Sequence, residues 1–165
     1  MKASTAKVAH GGGASSIATG VAVLDHLLGE LAETGAFELR LEIAPGEPEA
    51  EVGAAGTALG EALVPLLTAE DAAGRGFGIV PSDEALAMVV IEASGKPLVA
   101  SNADLSSTRA GGLQTDLAAA FFGSFAEAAG LTIHVRLIEG EDSQHVLSAI
   151  FKALGAALAR ACAEA

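Results

Sequence analysis

The sequence predicts an α+β fold made of two similar halves, with helices layered between two sheets. The main observation is a strand–turn–helix unit that occurs twice, about 95 residues apart. Leu131, Ile133, Val135 and Leu137 repeat the alternation of Phe37, Leu39, Leu41 and Ile43, and Leu154–Leu158 repeats Leu59–Leu63. Mixed runs of strands and helices in this order are typical of layered α+β domains. We therefore predict a single domain, 1–165, with halves at about 1–76 and 77–165.

The first half combines alternating strands with amphipathic helices. Its second helix is rich in alanine and contains Gly53, Gly56 and Gly60, which weaken a helix unless another backbone approaches closely there. Periods of two and of 3.6 residues predict an edge strand at 3–9, a strand at Ser15–Thr19, a helix at Val21–Leu31, a strand at Phe37–Ile43 and a helix at Glu51–Leu67.

The second half follows the same plan. The repeated unit Leu131–Leu158 closes it with a strand, an acidic turn and a helix. Before this unit the sequence predicts strands at Phe77–Pro81, Leu86–Ala93 and Leu98–Leu105, a polar loop at Ser106–Gly112, and a helix at Leu117–Ala129 that Thr115 and Asp116 cap.

The charge of the chain argues against two classes of partner. Its 21 acidic and 9 basic residues give a formal net charge of −12. Nucleic-acid binding needs a basic face that displaces counterions, and anionic membranes attract basic segments. We therefore predict neither partner, although one small phosphate could still bind in a local basic pocket.

Cysteine usage and the apolar runs indicate a cytoplasmic protein. Cys162 is the only cysteine, which excludes an internal disulfide bond. The first residues lack the apolar segment of a signal peptide, and the longest apolar run, Ala85–Ile91, is too short to span a bilayer.

The chain has four histidines, at His10, His26, His134 and His145. Taken singly, each is more simply explained as a structural or solvent-exposed residue. Three of them, however, lie at matched places on elements that the repeat would bring together. Because neutral imidazole is a common ligand of divalent metals, His26, His134 and His145 are candidate metal ligands.

Seven short strings, in order from about residue 19 to about residue 160, form a specific set. As a set they resemble the imidazoleglycerol-phosphate dehydratase family of histidine biosynthesis. The strings are Thr19–Leu28, Phe37–Leu39, Leu59–Leu63, Pro81–Ala87, Gly112–Leu117, Ala129–Arg136 and Phe151–Leu154.

The resemblance implies a fold like domain 2 of ribosomal protein S5 and a homo-oligomer, from a trimer to a 24-subunit shell. It implies a small phosphorylated imidazole as substrate, with dehydration of imidazoleglycerol phosphate to imidazole acetol phosphate. It also implies two manganese ions per site at subunit contacts, where the metal acts as Lewis acid and template.

The resemblance also assigns metal ligands, and here the sequence departs from the family. His26, His134 and His145 match family ligands, but Gln144 and Ser148 stand where ligands are expected. The first-half copy of the motif has no histidine, although Glu49 could offer a carboxylate. We therefore expect one manganese ion or none. Zinc, which three histidines and an open position would suit, is less expected.

Further site residues follow from the same comparison. Asp83 and Glu84 match a family acidic pair near the reacting group, although they would otherwise be a solvated turn. Lys152 matches a phosphate-binding lysine, Arg109 lies where the family often has an arginine, and Arg75 lies one place from another such position.

Three functions remain open at this stage. The first is an imidazoleglycerol-phosphate dehydratase with an altered metal centre. The second is a catalytically inactive paralogue that keeps the fold and assembly for ligand binding or regulation. The third is another reaction on the same scaffold, with a smaller substrate and zinc.

Overall fold

The structure, a computed structural model, describes residues 3–103 and 117–165. Strands and helices follow one another along these residues in the predicted order. The first half contains β1 (Thr5–His10), β2 (Ser16–Ala18), α1 (Ala22–Gly35), β3 (Phe37–Glu42) and α2 (Pro48–Leu67). The second half contains β4 (Arg75–Ser82), β5 (Ala85–Glu92), β6 (Leu98–Ser101), α3 (Leu117–Ala129), β7 (Thr132–Glu139) and α4 (Ser143–Cys162).

The strands form one sheet in each half. In the first sheet, of order β1-β3-β2, β3 pairs antiparallel with β1 and parallel with β2. In the second, of order β4-β5-β7-β6, β7 pairs antiparallel with β5 and parallel with β6. The strict alternation along β3 buries Phe37, Leu39 and Leu41, as period-two sequences do when one face of a strand is covered.

The helices lie between the two sheets, α1 against α4 and α2 against α3. This arrangement confirms the predicted α+β fold and its layer order. The aromatic part of the core sits at the α3–α4 contact, where Phe121, Phe122, Phe125 and Phe151 are fully buried. The Phe121 and Phe151 ring centroids are 5.2 Å apart, so these rings fix α4 against α3.

The glycines of α2 show why an unfavourable helix sequence is retained. A Cβ atom on Gly56 would lie 2.8 Å from the Phe121 carbonyl oxygen, and one on Gly60 would lie 2.9 Å from the Phe125 carbonyl oxygen. The close backbone approach that the sequence analysis required is therefore present at these two positions. At Gly53 the nearest atom is Ser124 Oγ at 3.5 Å, which is an ordinary contact.

A few element boundaries differ from prediction. Helix α2 begins at Pro48 rather than Glu51, because proline fits the first turn, where its missing N–H is not needed. Strand β6 ends at Ser101, whereas the prediction continued it through residues 102 and 103; the predicted end at Leu105 lies outside the described residues. The predicted loop at 106–112 and the capping residues Thr115 and Asp116 lie outside the described residues.

Among the described residues, α2 and α4 are long and apolar enough to cross a bilayer, by length and composition only. Both helices belong to the protein core. In α4, 67% of the most apolar 18-residue stretch is buried inside the protein, and in α2 the share is 39%. Core helices of globular proteins often have this length and composition, so α2 and α4 are weak evidence for a membrane span.

Candidate functional site

A cavity of about 330 Å³ opens between α1, the start of α4 and the β4–β5 turn. Four of the residues predicted from the sequence line it: His26 from α1, Asp83 from the turn, and His145 and Lys152 from α4. The spacing of α4 explains the last pair. Residues 145 and 152 are two helical turns apart and therefore share one face.

His145 is held between two carboxylates of the β4–β5 turn. Its Nδ1 contacts Glu84 Oε1, and its Nε2 lies 3.4 Å from Asp83 Oδ2. The turn has only these two residues between the paired Ser82 and Ala85, and Asp83 has φ 51°, a left-handed conformation that aspartate tolerates better than most residues. The short turn thus aims both carboxylates at one imidazole.

The start of α4 fixes His145 from the other side. Asp142 is the N-cap of the helix, and its Oδ1 accepts hydrogen bonds from the backbone N–H groups of Gln144 at 2.9 Å and His145 at 3.1 Å. An N-cap carboxylate satisfies helix donors that would otherwise lack a partner. The backbone of His145 is therefore anchored where its side chain meets the turn.

This arrangement changes the proton affinities of both partners. The hydrogen bond to Glu84 is the largest cause that raises the pKa of His145 above its ordinary value of 6.5, and the charges of Asp142, Glu84 and Asp83 act in the same direction. The same hydrogen bond lowers the pKa of Glu84 below its ordinary value of 4.5. The pair therefore favours an imidazolium beside a carboxylate.

Glu30 of α1 organises the opposite wall of the cavity. Its Oε1 accepts a hydrogen bond from Ser148 Oγ at 2.7 Å and lies 3.3 Å from His26 Nε2. Its Oε2 lies 3.3 Å from Lys152 Nζ. One carboxylate thus connects the predicted metal ligand His26 with the predicted phosphate ligand Lys152.

Glu30 falls within the helix predicted at Val21–Leu31, as His26 does, but no role for it followed from the sequence. The available signal was the spacing of the two residues, because side chains four apart share a helix face. The decisive contacts, with Ser148 and Lys152, come from α4 and cross between the two halves of the chain. No local pattern indicates them.

Two predicted residues lie elsewhere, on the outer face of the four-stranded sheet. His134 of β7 pairs with Val90, whereas its neighbours Ile133 and Val135 face inward and are buried. His134 and Arg75 line a groove of about 400 Å³ on this outer face, and Arg75 Nε lies 3.7 Å from Glu92 Oε2. Within one chain, neither residue joins the cavity that His145 lines.

Two further site residues, Glu49 and Arg109, are predicted from the sequence. Glu49 lies exposed in the first turn of α2 and does not line the cavity. Arg109 lies outside the described residues.

Comparison with known proteins decides the family. The model of the imidazoleglycerol-phosphate dehydratase family matches residues 19–158. The chain belongs to the imidazoleglycerol-phosphate dehydratase family.

Individual relatives agree along most of the chain. The imidazoleglycerol-phosphate dehydratase of Methanocella arvoryzae is 40% identical over 159 residues, which cover 93% of this chain and 82% of the relative. That of Acetivibrio thermocellus is 37% identical over 153 residues, covering 90% and 78%. The crystal structure of the Staphylococcus aureus dehydratase has a TM-score of 0.88 at 31% identity, with 98% of this chain and 94% of the other covered.

The described residues of one chain do not bring together the metal site that the family resemblance implies. Across residues 3–103 and 117–165, no group of three or more His, Cys, Asp or Glu side chains could hold an ion. Both ring nitrogens of His145 face carboxylates, and His134 lies across the sheet. Within the described residues, the donor set of one chain therefore does not fit manganese.

Proposed function

We propose that this protein is an imidazoleglycerol-phosphate dehydratase of histidine biosynthesis, acting in the cytoplasm on a small phosphorylated imidazole. The observation that carries the proposal is the cavity between α1 and α4. It joins an imidazole–carboxylate group at one end with a lysine ammonium at the other. Family membership supplies the reaction class, and the cavity supplies residues for it.

Dehydration moves two protons. One leaves carbon, and another must reach the departing hydroxyl group. The hydrogen bond to Glu84 raises the pKa of His145 and favours its protonated form, which is the general acid for the hydroxyl group in this proposal. Asp83 Oδ2, 3.4 Å from His145 Nε2, is a carboxylate base within the same cavity and accepts the proton from carbon.

Lys152 binds the phosphate group in this proposal. It lies seven residues after His145 on α4, so the two Cα atoms are about 10 Å apart along the helix axis. A ring with a phosphorylated three-carbon chain bridges such a separation. The ammonium therefore orients the substrate with its reacting carbons beside His145 and Asp83.

We further propose that the chain assembles into a homo-oligomer with a subunit number from three, a trimer, to 24, a closed shell. His26, His134 and Glu49 would then meet across subunits to hold at most one manganese ion. His145 would join them as a ligand only in its neutral form, in which it no longer serves as the acid. Zinc is the less favoured metal. Support comes from the outer sheet face, where Phe77, Ile79, Val90 and Leu98 are 37–53% exposed beside the His134 groove. Contiguous exposed apolar side chains mark interaction surfaces.

A second candidate is an inactive paralogue that binds a ligand without turnover. The observation that favours it is the internal pairing of the key groups. His145 faces Asp83 and Glu84, and Lys152 faces Glu30. Side chains paired with one another are less available to a substrate or a metal.

The two candidates are separated by assaying the purified protein with imidazoleglycerol phosphate, with and without added Mn²⁺. The dehydratase proposal expects imidazole acetol phosphate, and expects H145A and D83N to reduce the rate by at least about 100-fold. No product above the blank without enzyme would overturn it and leave the inactive paralogue. Elemental analysis of the isolated protein reports the metal, and a monomer in light scattering would contradict the proposed assembly.

A further inference from the structure

Glu30 is a largely buried carboxylate at the centre of three polar contacts. Its side chain is 16% exposed and contacts His26 from its own helix and Ser148 and Lys152 from α4. Ser148 donates a hydrogen bond to one oxygen, which leaves the other directed at the lysine. The carboxylate is therefore fixed in place by contacts that do not depend on Lys152.

The position of Glu30 matters for any anion that binds Lys152. The lysine side chain is 29% exposed, and its Nζ lies 3.3 Å from Glu30 Oε2. A phosphate that contacts this ammonium would lie near the carboxylate in a partly desolvated cavity. Like charges so placed repel strongly, because little water screens them.

We propose that Glu30 is a specificity-determining residue that opposes phosphate binding at Lys152. A phosphorylated ligand reaches the lysine only against the charge of Glu30, so removal of this charge increases phosphate affinity. The inference rests on the proposed function in one respect, namely that Lys152 is the phosphate ligand. It adds that the charge of Glu30 lowers the affinity of the site for phosphate.

Phosphate binding is measured directly, without turnover, by calorimetric titration of inorganic phosphate into the metal-free protein. Glu30→Gln keeps the size of the side chain and a hydrogen-bond acceptor for Ser148 but removes the charge. We expect it to bind phosphate about tenfold more tightly than the wild-type protein. Adding Lys152→Met to this variant should abolish the gain.

Ser148→Ala is the matched control for a purely structural role. It removes the 2.7 Å hydrogen bond to Glu30 but keeps the carboxylate charge. The proposal expects its phosphate affinity to stay within about twofold of wild type. Equal gains in S148A and E30Q would overturn it, because a loosened network would then explain both.

The inference stays testable if E30Q misfolds or if its phosphate affinity does not rise. If E30Q fails to fold, as shown by circular dichroism, Glu30→Asp keeps the charge but withdraws it by one methylene group, and a smaller gain is expected. Unchanged or weaker phosphate binding in a folded Glu30 variant overturns the inference. The assay with imidazoleglycerol phosphate is a separate readout, so tighter phosphate binding without product would contradict only the proposed function.

Discussion

Gly35 of α1 lies against the backbone of Gly155 in α4, so closely that a Cβ atom on Gly35 would be 2.6 Å from the Gly155 carbonyl oxygen. Gly155 in turn leaves no room for a Cβ atom beside the Leu31 carbonyl group. This backbone contact sets the separation of α1 and α4. It thereby sets the width of the cavity in which Glu30 meets Ser148 and Lys152.

Gly155→Ala is expected to destabilise the protein by about 1–3 kcal/mol, because the added methyl group overlaps backbone that cannot move aside cheaply. The matched control is Gly53→Ala, where the new Cβ atom would make an ordinary 3.5 Å contact with Ser124 Oγ. There the better helix propensity of alanine should stabilise the protein by about 0.5–1 kcal/mol. Urea unfolding of both variants measures the difference, and equal stabilities would contradict the packing described here.

The sequence was informative about elements and faces because both follow local periodicity. Alternation along residues 37–43 and 131–137 predicted β3 and β7. The same alternation buries Ile133 and Val135 and therefore leaves His134 on the opposite face. The repeat predicted the layered fold. The Asp83–Glu84 pair was singled out by family resemblance, and the structure adds that both carboxylates contact His145.

Contacts between halves could not be predicted in the same way. Glu30 and Ser148 are 118 residues apart, and their hydrogen bond depends on how α1 packs against α4. From the sequence alone, Ser148 is notable only because it stands where a metal ligand is expected. Its observed role, to hold Glu30, depends on a neighbour that periodicity does not identify. His26 and His134 are both candidate ligands, but His26 lines the cavity between α1 and α4 and His134 lines the groove on the outer sheet face. This separation follows from the fold and not from local periodicity.

The His145–Glu84 pair predicts a specific titration. In NMR spectra recorded in the presence of a chelator, the His145 imidazole should titrate above 6.5, and Glu84→Gln should lower its pKa towards that value. Asp83→Asn is the matched control. It should lower the pKa less, because Asp83 is the smallest of the causes that raise it. An unchanged His145 pKa in E84Q would show that the contact does not persist in solution.

The same pair predicts how folding stability depends on pH. The raised pKa of His145 stabilises the folded state below 6.5, and this contribution is lost as the pH rises through the folded-state value. The lowered pKa of Glu84 stabilises it above 4.5, and this contribution is lost as the pH falls through the folded-state value. The stability difference between wild type and E84Q, from urea unfolding at several pH values, should therefore be largest between pH 4.5 and 6.5 and decrease on both sides.

The N-cap of α4 should be important for both stability and site geometry. Asp142→Ala removes the acceptor for the Gln144 and His145 N–H groups and is expected to cost about 1 kcal/mol. Asp142→Asn keeps an acceptor oxygen and should retain most of this stability. Urea unfolding compares the two variants, and an equal loss in both would indicate that the charge of Asp142 matters more than its hydrogen bonds.

Cys162, the single cysteine, should report on the packing of the end of α4. Burial raises the pKa of its thiol to about 11 from an ordinary value of 9.0. Because the thiolate is the reactive form, alkylation by iodoacetamide at pH 8 should be slower in the folded than in the urea-unfolded protein by on the order of 100-fold. Cys162→Ser establishes the background rate. Similar rates in the folded and unfolded states would show that the helix end opens readily, and would place Cys162 outside the core that α4 forms with β4 and β5.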